Sequence, residues 1–187
     1  GILFWRSFTQ WLGGLGIIIL SIAVMPLLGV GGMQLYKSEL ASRQDKLRPR
    51  VIETARTLWI VYIILSMIQF IMLLAGGMDS YNALCHTFST MSTGGFSTSD
   101  ASVGQFHSAY IDAVITVFMF VAGVNFALHY SLFTGNIRSV FRNSEFRFYL
   151  GIILTCILVI TFNLRFHLMN ELSASLRYAS FQTVSIM

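Results

Sequence analysis

The residues with the clearest capacity for chemistry are Ser92-Thr93-Gly94-Gly95-Phe96-Ser97-Thr98, which follow a short apolar stretch, Tyr81–Met91. What they offer is backbone rather than side chain. Glycine carries no Cβ, so consecutive carbonyls near a Gly-Gly pair can turn toward one axis. Potassium-selective pores use loops of this kind, whose carbonyl oxygens replace the ion's hydration shell. A helix that ends at such a turn aims its partially negative C-terminal end at the same axis, which favours a cation there. Gly-rich turns are common, so the weight of this one depends on the elements around it.

Those elements belong to a membrane protein. The 187 residues are 55% hydrophobic and 11% charged, with mean hydropathy +0.70, against about 25% charged in soluble domains. Ser7–Tyr36 holds no charged residue, more than the ~20 residues a spanning helix needs. Pro26 is expected to kink this span. Gly13, Gly14, Gly16, Gly29, Gly31 and Gly32 would admit close neighbours, and Trp11 suits an interfacial position. A second charge-free stretch, Thr57–Met78, ends at Gly76-Gly77. Asp79-Ser80 then reads as an N-cap, opening a helix of 79–91 that is too short to cross a ~30 Å hydrocarbon core. A third span is expected over Ala113–Ile137 and a fourth over Phe148–Leu164, extended at both ends. Ser173–Met187 reads as another short amphipathic helix. Gly1-Ile2-Leu3 runs straight into Phe4-Trp5, and the chain stops within an apolar helical pattern, so an internal fragment of a longer polypeptide is expected.

Charge placement sets the topology. Of the 12 Lys and Arg, six lie in 37–56 and three, Arg138, Arg142 and Arg147, between the third and fourth spans. Segment 76–112 holds Asp79, Asp100 and Asp112 and no Lys or Arg. The positive-inside rule puts both basic connectors, 37–56 and 138–147, in the cytoplasm. They share a side only if the short helix and its turn enter the membrane and return, so the loop is re-entrant. Ser42-Arg43-Gln44-Asp45 and Pro49 argue for a loop before the next helix, near Val51. A shift of 96 residues repeats the order of elements, placing Leu58 on Leu154, Ile64 on Ile160, Ala83 on Ala179, Thr87 on Thr183 and Ser89 on Ser185. The expected fold class is therefore all-α integral membrane, built of repeated span–pore loop–span units. Residues 1–36 are the last span of one unit and 57–137 a complete unit with its filter at 92–98. Residues 148–187 begin the next unit, whose own filter would start two residues past Met187.

Several strings together resemble one family. Gln10-Trp11-Leu12-Gly13-Gly14, Pro26-Leu27-Leu28-Gly29-Val30-Gly31-Gly32-Met33-Gln34-Leu35-Tyr36, Lys46-Leu47-Arg48-Pro49-Arg50 and Gly94-Gly95-Phe96-Ser97-Thr98 are similar, in order and spacing, to TrkH-type potassium uptake proteins. The resemblance implies four such units around one pore, a homodimer in the bacterial inner membrane, and a cytosolic nucleotide-binding ring of the TrkA type that gates the pore. It implies K⁺ as the transported ion and no cofactor. By motif, Gly95 occupies the family's filter-glycine position, with Thr93, Gly94 and Phe96 offering neighbouring carbonyls; Ser92 and Ser97 flank them as supports.

The remaining polar residues have plainer readings beside functional ones. Asn125, mid-span, makes an interhelical hydrogen bond or lines the cavity. His129 shares its face and packs between helices or serves a gate. His86 is expected to support the filter loop by hydrogen bonding. Lys46–Arg50 is a topology signal or a contact for the cytosolic ring, while Arg6 and Arg165 snorkel to the outer interface. Cys85 and Cys156 lack metal-ligand spacing and read as packed thiols. The net charge of +4 fits topology rather than nucleic acid. No paired carboxylate or metal cluster points to an enzyme, and His86, Ser89 and Asp79 lack a matching intramembrane acid for hydrolysis. The alternative to a pore is a non-conducting structural subunit of a membrane complex.

Overall fold

In the computed structural model of the chain, the described residues are 1–28, 44–124, 128, 129, 132, 141–167 and 171–187, with side chains described outside 18–54 and at neither 167 nor any residue left out above. Six α-helices account for most of them: α1 (Ile2–Leu28), α2 (Gln44–Ala75), α3 (Ser80–Met91), α4 (Ala109–Gly123), α5 (Ser144–His167) and α6 (Leu172–Ile186). A 3₁₀ turn, Ser102–Phe106, sits between α3 and α4. Among the described residues there is no strand.

Two segments, Ala55–Ala75 at mean hydropathy 2.4 and Ser144–Phe166 at 1.9, are long and apolar enough to cross a membrane. Their outer faces are exposed and apolar, with Ile63, Ile64, Met67, Ile68 and Ile71 on α2 and Leu154, Leu158, Val159 and Phe162 on α5. In water such faces would be costly, whereas lipid tails solvate them. The buried core lies on the other side of α2, where Tyr62, Leu73 and Met78 meet Ala83 and Met91 of α3 and Ile111, Val114, Ile115 and Phe118 of α4. The core thus wraps the short helix on all but one side.

Three expectations are corrected here. Helix α2 begins at Gln44 rather than near Val51, so it runs through the second half of the 37–56 connector and through Pro49. Good helix formers, Lys46, Leu47, Arg48, Glu53, Ala55 and Arg56, fill this stretch and outweigh the local turn signals. The third span is not one continuous helix: it starts early at Ala109, capped by the Ser108 side chain, and stops at Gly123, where Val124 is extended at ψ 139°. The His129 ring then donates from Nε2 to the Val121 carbonyl at 3.0 Å, the same oxygen that accepts the Val124 N–H at 3.2 Å. Asn125 lies outside the described residues. Trp11 is no interfacial anchor: its ring packs on Phe88 at 5.3 Å and Tyr62 at 5.5 Å, and its indole N–H donates to Ser66 at 3.0 Å.

The short helix α3 matches the sequence expectation at both ends, with Asp79 as its N-cap. Its 12 residues make about 18 Å at 1.5 Å per residue. Packing then recurs in order: α3 lies against α1 and α2, and α6 lies against α4 and α5. Each short helix is held by the long helix just before it and by the long helix preceding that one.

Candidate filter loop

At its start, α3 is closed by the Asp79 carboxylate, which accepts from the Asn82 side chain at 2.6 Å and from the Asn82 backbone N–H at 3.2 Å. At its end, Ser92 caps the helix by donating its hydroxyl to the Phe88 carbonyl at 2.8 Å. Thr93 N–H then reaches back to Thr90 O at 3.0 Å and Gly94 N–H to Ser89 O at 2.8 Å. The chain turns so tightly that two residues adopt positive φ, Thr93 at 54° and Gly95 at 73°. For a β-branched threonine that is a true outlier, a conformation found only where the surroundings enforce it.

From there the chain runs back alongside α3. Ser89, 3% exposed, accepts from the Phe96 N–H at 2.9 Å. Thr98 donates its hydroxyl to Asn82 in the first turn of α3. The loop is a hairpin pinned to its own helix at the bottom by Ser89 and at the top by Asn82. Neither residue was singled out for this role from the sequence, because hydroxyl and amide partners seven and sixteen positions away follow no local spacing rule.

The expected site residues are thus brought together, with roles redistributed. Thr93, Gly95 and Phe96 are exposed, whereas Gly94 is half-buried. Ser97 gives its side chain to the Ser99 N–H at 3.2 Å and its carbonyl to the Arg6 guanidinium. Arg6 also sits over the Phe96 ring at 5.1 Å, so it braces the loop instead of snorkelling to an interface. His86 is buried, and its Nε2 has no hydrogen-bond partner among the described residues; its ring meets the edge of Phe106 at 5.7 Å. The hydrogen-bonding support expected of His86 comes from Ser89 instead, and His86 supports by packing. A cavity of about 630 Å³ opens in front of the loop, walled by Ser89, Thr93, Gly95 and Phe96, by Met119 and Gly123 of α4, and by Gln182 and Ser185 of α6.

The two glycines are required for different reasons. Gly95 takes φ +73° with open space where a Cβ would sit. At Gly94 a Cβ would lie 2.8 Å from Gln10 Oε1 on α1 and 3.2 Å from Ser92 Oγ. One is needed for its dihedrals, the other for its neighbours.

Comparison with known proteins places the chain in one family. A family model described as a cation transport protein, TrkH, matches residues 1–183. The Trk system potassium uptake protein TrkH of Salmonella typhimurium is 44% identical over 189 residues, covering 99% of this chain and 39% of that protein. The Trk system potassium uptake protein TrkG of Escherichia coli is 38% identical over 188 residues, again 99% and 39%. The crystal structure of the potassium transporter TrkH from Vibrio parahaemolyticus aligns with a TM-score of 0.85 at 37% identity, over 99% of this chain and 37% of that one. The chain spans about 39% of the length of these curated relatives.

Proposed function

Since the chain belongs to the TrkH family of cation transport proteins, a family of transporters and not of enzymes, we propose that it forms part of a pore for potassium uptake across the bacterial inner membrane. In this function the backbone carbonyls of Thr93, Gly94, Gly95 and Phe96 take the place of water around K⁺. The observation that carries it is the pair of left-handed residues, Thr93 and Gly95, at the end of a half-length helix. In ordinary extended chain successive carbonyls point to opposite sides. Left-handed dihedrals at every second residue let them share one side. The C-terminal end of α3 adds a partial negative charge where a cation would sit.

The basic connectors 37–56 and 138–147 face the cytosol in this arrangement, where a nucleotide-binding ring of the TrkA type docks and gates the pore. Two copies pair as a homodimer, and the apolar faces of α2 and α5 meet lipid.

The test is ion flux through the full-length protein carrying this chain, reconstituted in liposomes, with K⁺, Rb⁺ and Na⁺ compared for wild type and Gly95→Ser. A side chain at φ +73° costs on the order of 1–3 kcal/mol, and each 1.4 kcal/mol is about tenfold in an equilibrium. The expected outcome is loss of most of the preference for K⁺ over Na⁺, by about tenfold or more. Gly104→Ser is the control, because Gly104 has open space around it and no positive φ. Gly76 would be a poor control, since a Cβ there would lie 2.8 Å from the Tyr110 ring. Unchanged selectivity in a folded, conducting Gly95→Ser protein would remove the loop from the filter. Absence of flux in the wild type would favour the structural subunit.

A further inference from the structure

The filter loop is braced from behind by a helix outside its own span–loop–span unit. Three residues of α1 at a spacing of four, Arg6, Gln10 and Gly14, share one helix face. They meet the loop in reverse order. Arg6 donates to the Ser97 carbonyl and stacks on Phe96. Gln10 lies against Gly94, with its Oε1 buried and without a hydrogen-bond partner among the described residues. Gly14 leaves room for Ser92, whose Cα would stand 3.1 Å from a Cβ at that position. A helix face that follows a non-helical strand residue by residue is more than incidental packing, and it places a cation, an amide and a gap at three successive heights.

We propose that this face of α1 is a splint that sets the carbonyl geometry of the filter, with Gln10 as a specificity-determining positioning residue. The proposal rests on the potassium-pore function argued above. Arg6 engages the Ser97 carbonyl in a charge-assisted hydrogen bond, which withdraws that oxygen from ion coordination and ends the ligand set at Phe96. Gln10 fixes how far the strand can retreat from the ion at Gly94. A smaller ion needs the carbonyls to move inward and a larger one needs them to move outward, so a rigid back wall converts into a preference for one radius.

The experiment is a double-mutant cycle in the full-length protein carrying this chain, using Gln10→Ala, Gly94→Ala and the pair. Two readouts are taken: the K⁺-to-Na⁺ flux ratio in liposomes, and backbone hydrogen exchange at Gly94 and Phe96. Gly94→Ala pushes on the Gln10 amide and should lower the flux ratio by about tenfold; removing the amide in the double variant should recover it to within about threefold of wild type. Gln10→Ala alone should speed exchange at Gly94 and Phe96 by several-fold while leaving Leu73 amide exchange, in the core of α2, unchanged. Flux effects that simply multiply in the double variant would overturn the splint, as would unchanged exchange in Gln10→Ala. A wild type that carries no K⁺ would overturn the pore function, and the exchange data alone would then decide whether α1 positions the loop. A general loss of folding would appear as faster exchange at Leu73 too, and in that case Gln10→Ser, which also withdraws the amide from Gly94 but keeps a polar group on that face, replaces the alanine and is judged by the same two outcomes.

Discussion

Gly94 and Gly95 stand side by side in the chain, yet a methyl group added to one meets a neighbouring helix and added to the other meets only its own backbone. The Gly-Gly string was legible from the sequence because glycine announces unusual backbone wherever it is clustered. What braces it was not, since Arg6, Gln10, Asn82 and Ser89 come from positions that no local periodicity connects to the loop. The N-cap was legible, and it supplies a test at this scale. The Asn82 side chain, and after it the Asn82 N–H, hold the Asp79 carboxyl below its ordinary value. A carboxyl with a depressed folded pKa stabilises the fold above its unfolded pKa, about 3.9, and loses that contribution as pH falls through the folded value. Hydrogen-exchange protection in the first turn of α3 should therefore be full at neutral pH and decline below about pH 4. Asp79→Ala should show lower protection at neutral pH, and its ratio to wild type should approach one as the pH falls through that window. A ratio independent of pH would deny the carboxylate its role.

Among the elements, spans were easier to foresee than their interruptions. Hydropathy detects apolar length: Phe148–Leu164 stands inside α5, and Thr57–Met78 follows α2 as far as Ala75, where the helix ends ahead of Gly76-Gly77. It is blind to a backbone break inside an apolar run, which is why the end of α4 at Gly123 could not be foreseen. Polar helical turns that extend past the apolar stretch escape it as well, as at Gln44–Glu53. The α4 terminus is also a tight junction: a Cβ on Gly123 would stand 2.5 Å from the Tyr149 hydroxyl of α5. Gly123→Ala is expected to cost about 1–3 kcal/mol by overpacking, and Tyr149→Phe in the same chain should return most of it by removing the clashing oxygen. Thermal unfolding in detergent of the two single variants and the pair measures this. Equal midpoints for Gly123→Ala and the wild type would mean that α4 and α5 yield there freely.

Across the whole molecule, the 96-residue register is kept in burial at two of its five residue pairs. Ala83 and Ala179 are both 0% exposed, and Thr87 and Thr183 are both buried, each threonine with a hydroxyl lacking a partner among the described residues. The pairs Leu58–Leu154 and Ser89–Ser185 differ, the first member buried and the second exposed. Equivalent sites on α5 and α6 face outward here, so identity of residue predicts identity of packing only along the shared face of the short helices. Topology is the matching prediction. In a background with Cys85 and Cys156 replaced by serine, a cysteine at Ser42 should react with an impermeant thiol reagent only from the cytoplasmic side and one at Ser102 only from outside. Reaction of both from one face would unseat the re-entrant loop. The order of α1, α2 and α3 along the chain has one more effect, on biosynthesis. Residues 2–28 leave the ribosome before residues 80–98, so the helix that shapes the loop can already be seated in the bilayer when the loop arrives. The 92–98 loop then folds against a mould inserted earlier, and the direction of translation, as much as the sequence, fixes the order in which α1 and the loop can meet.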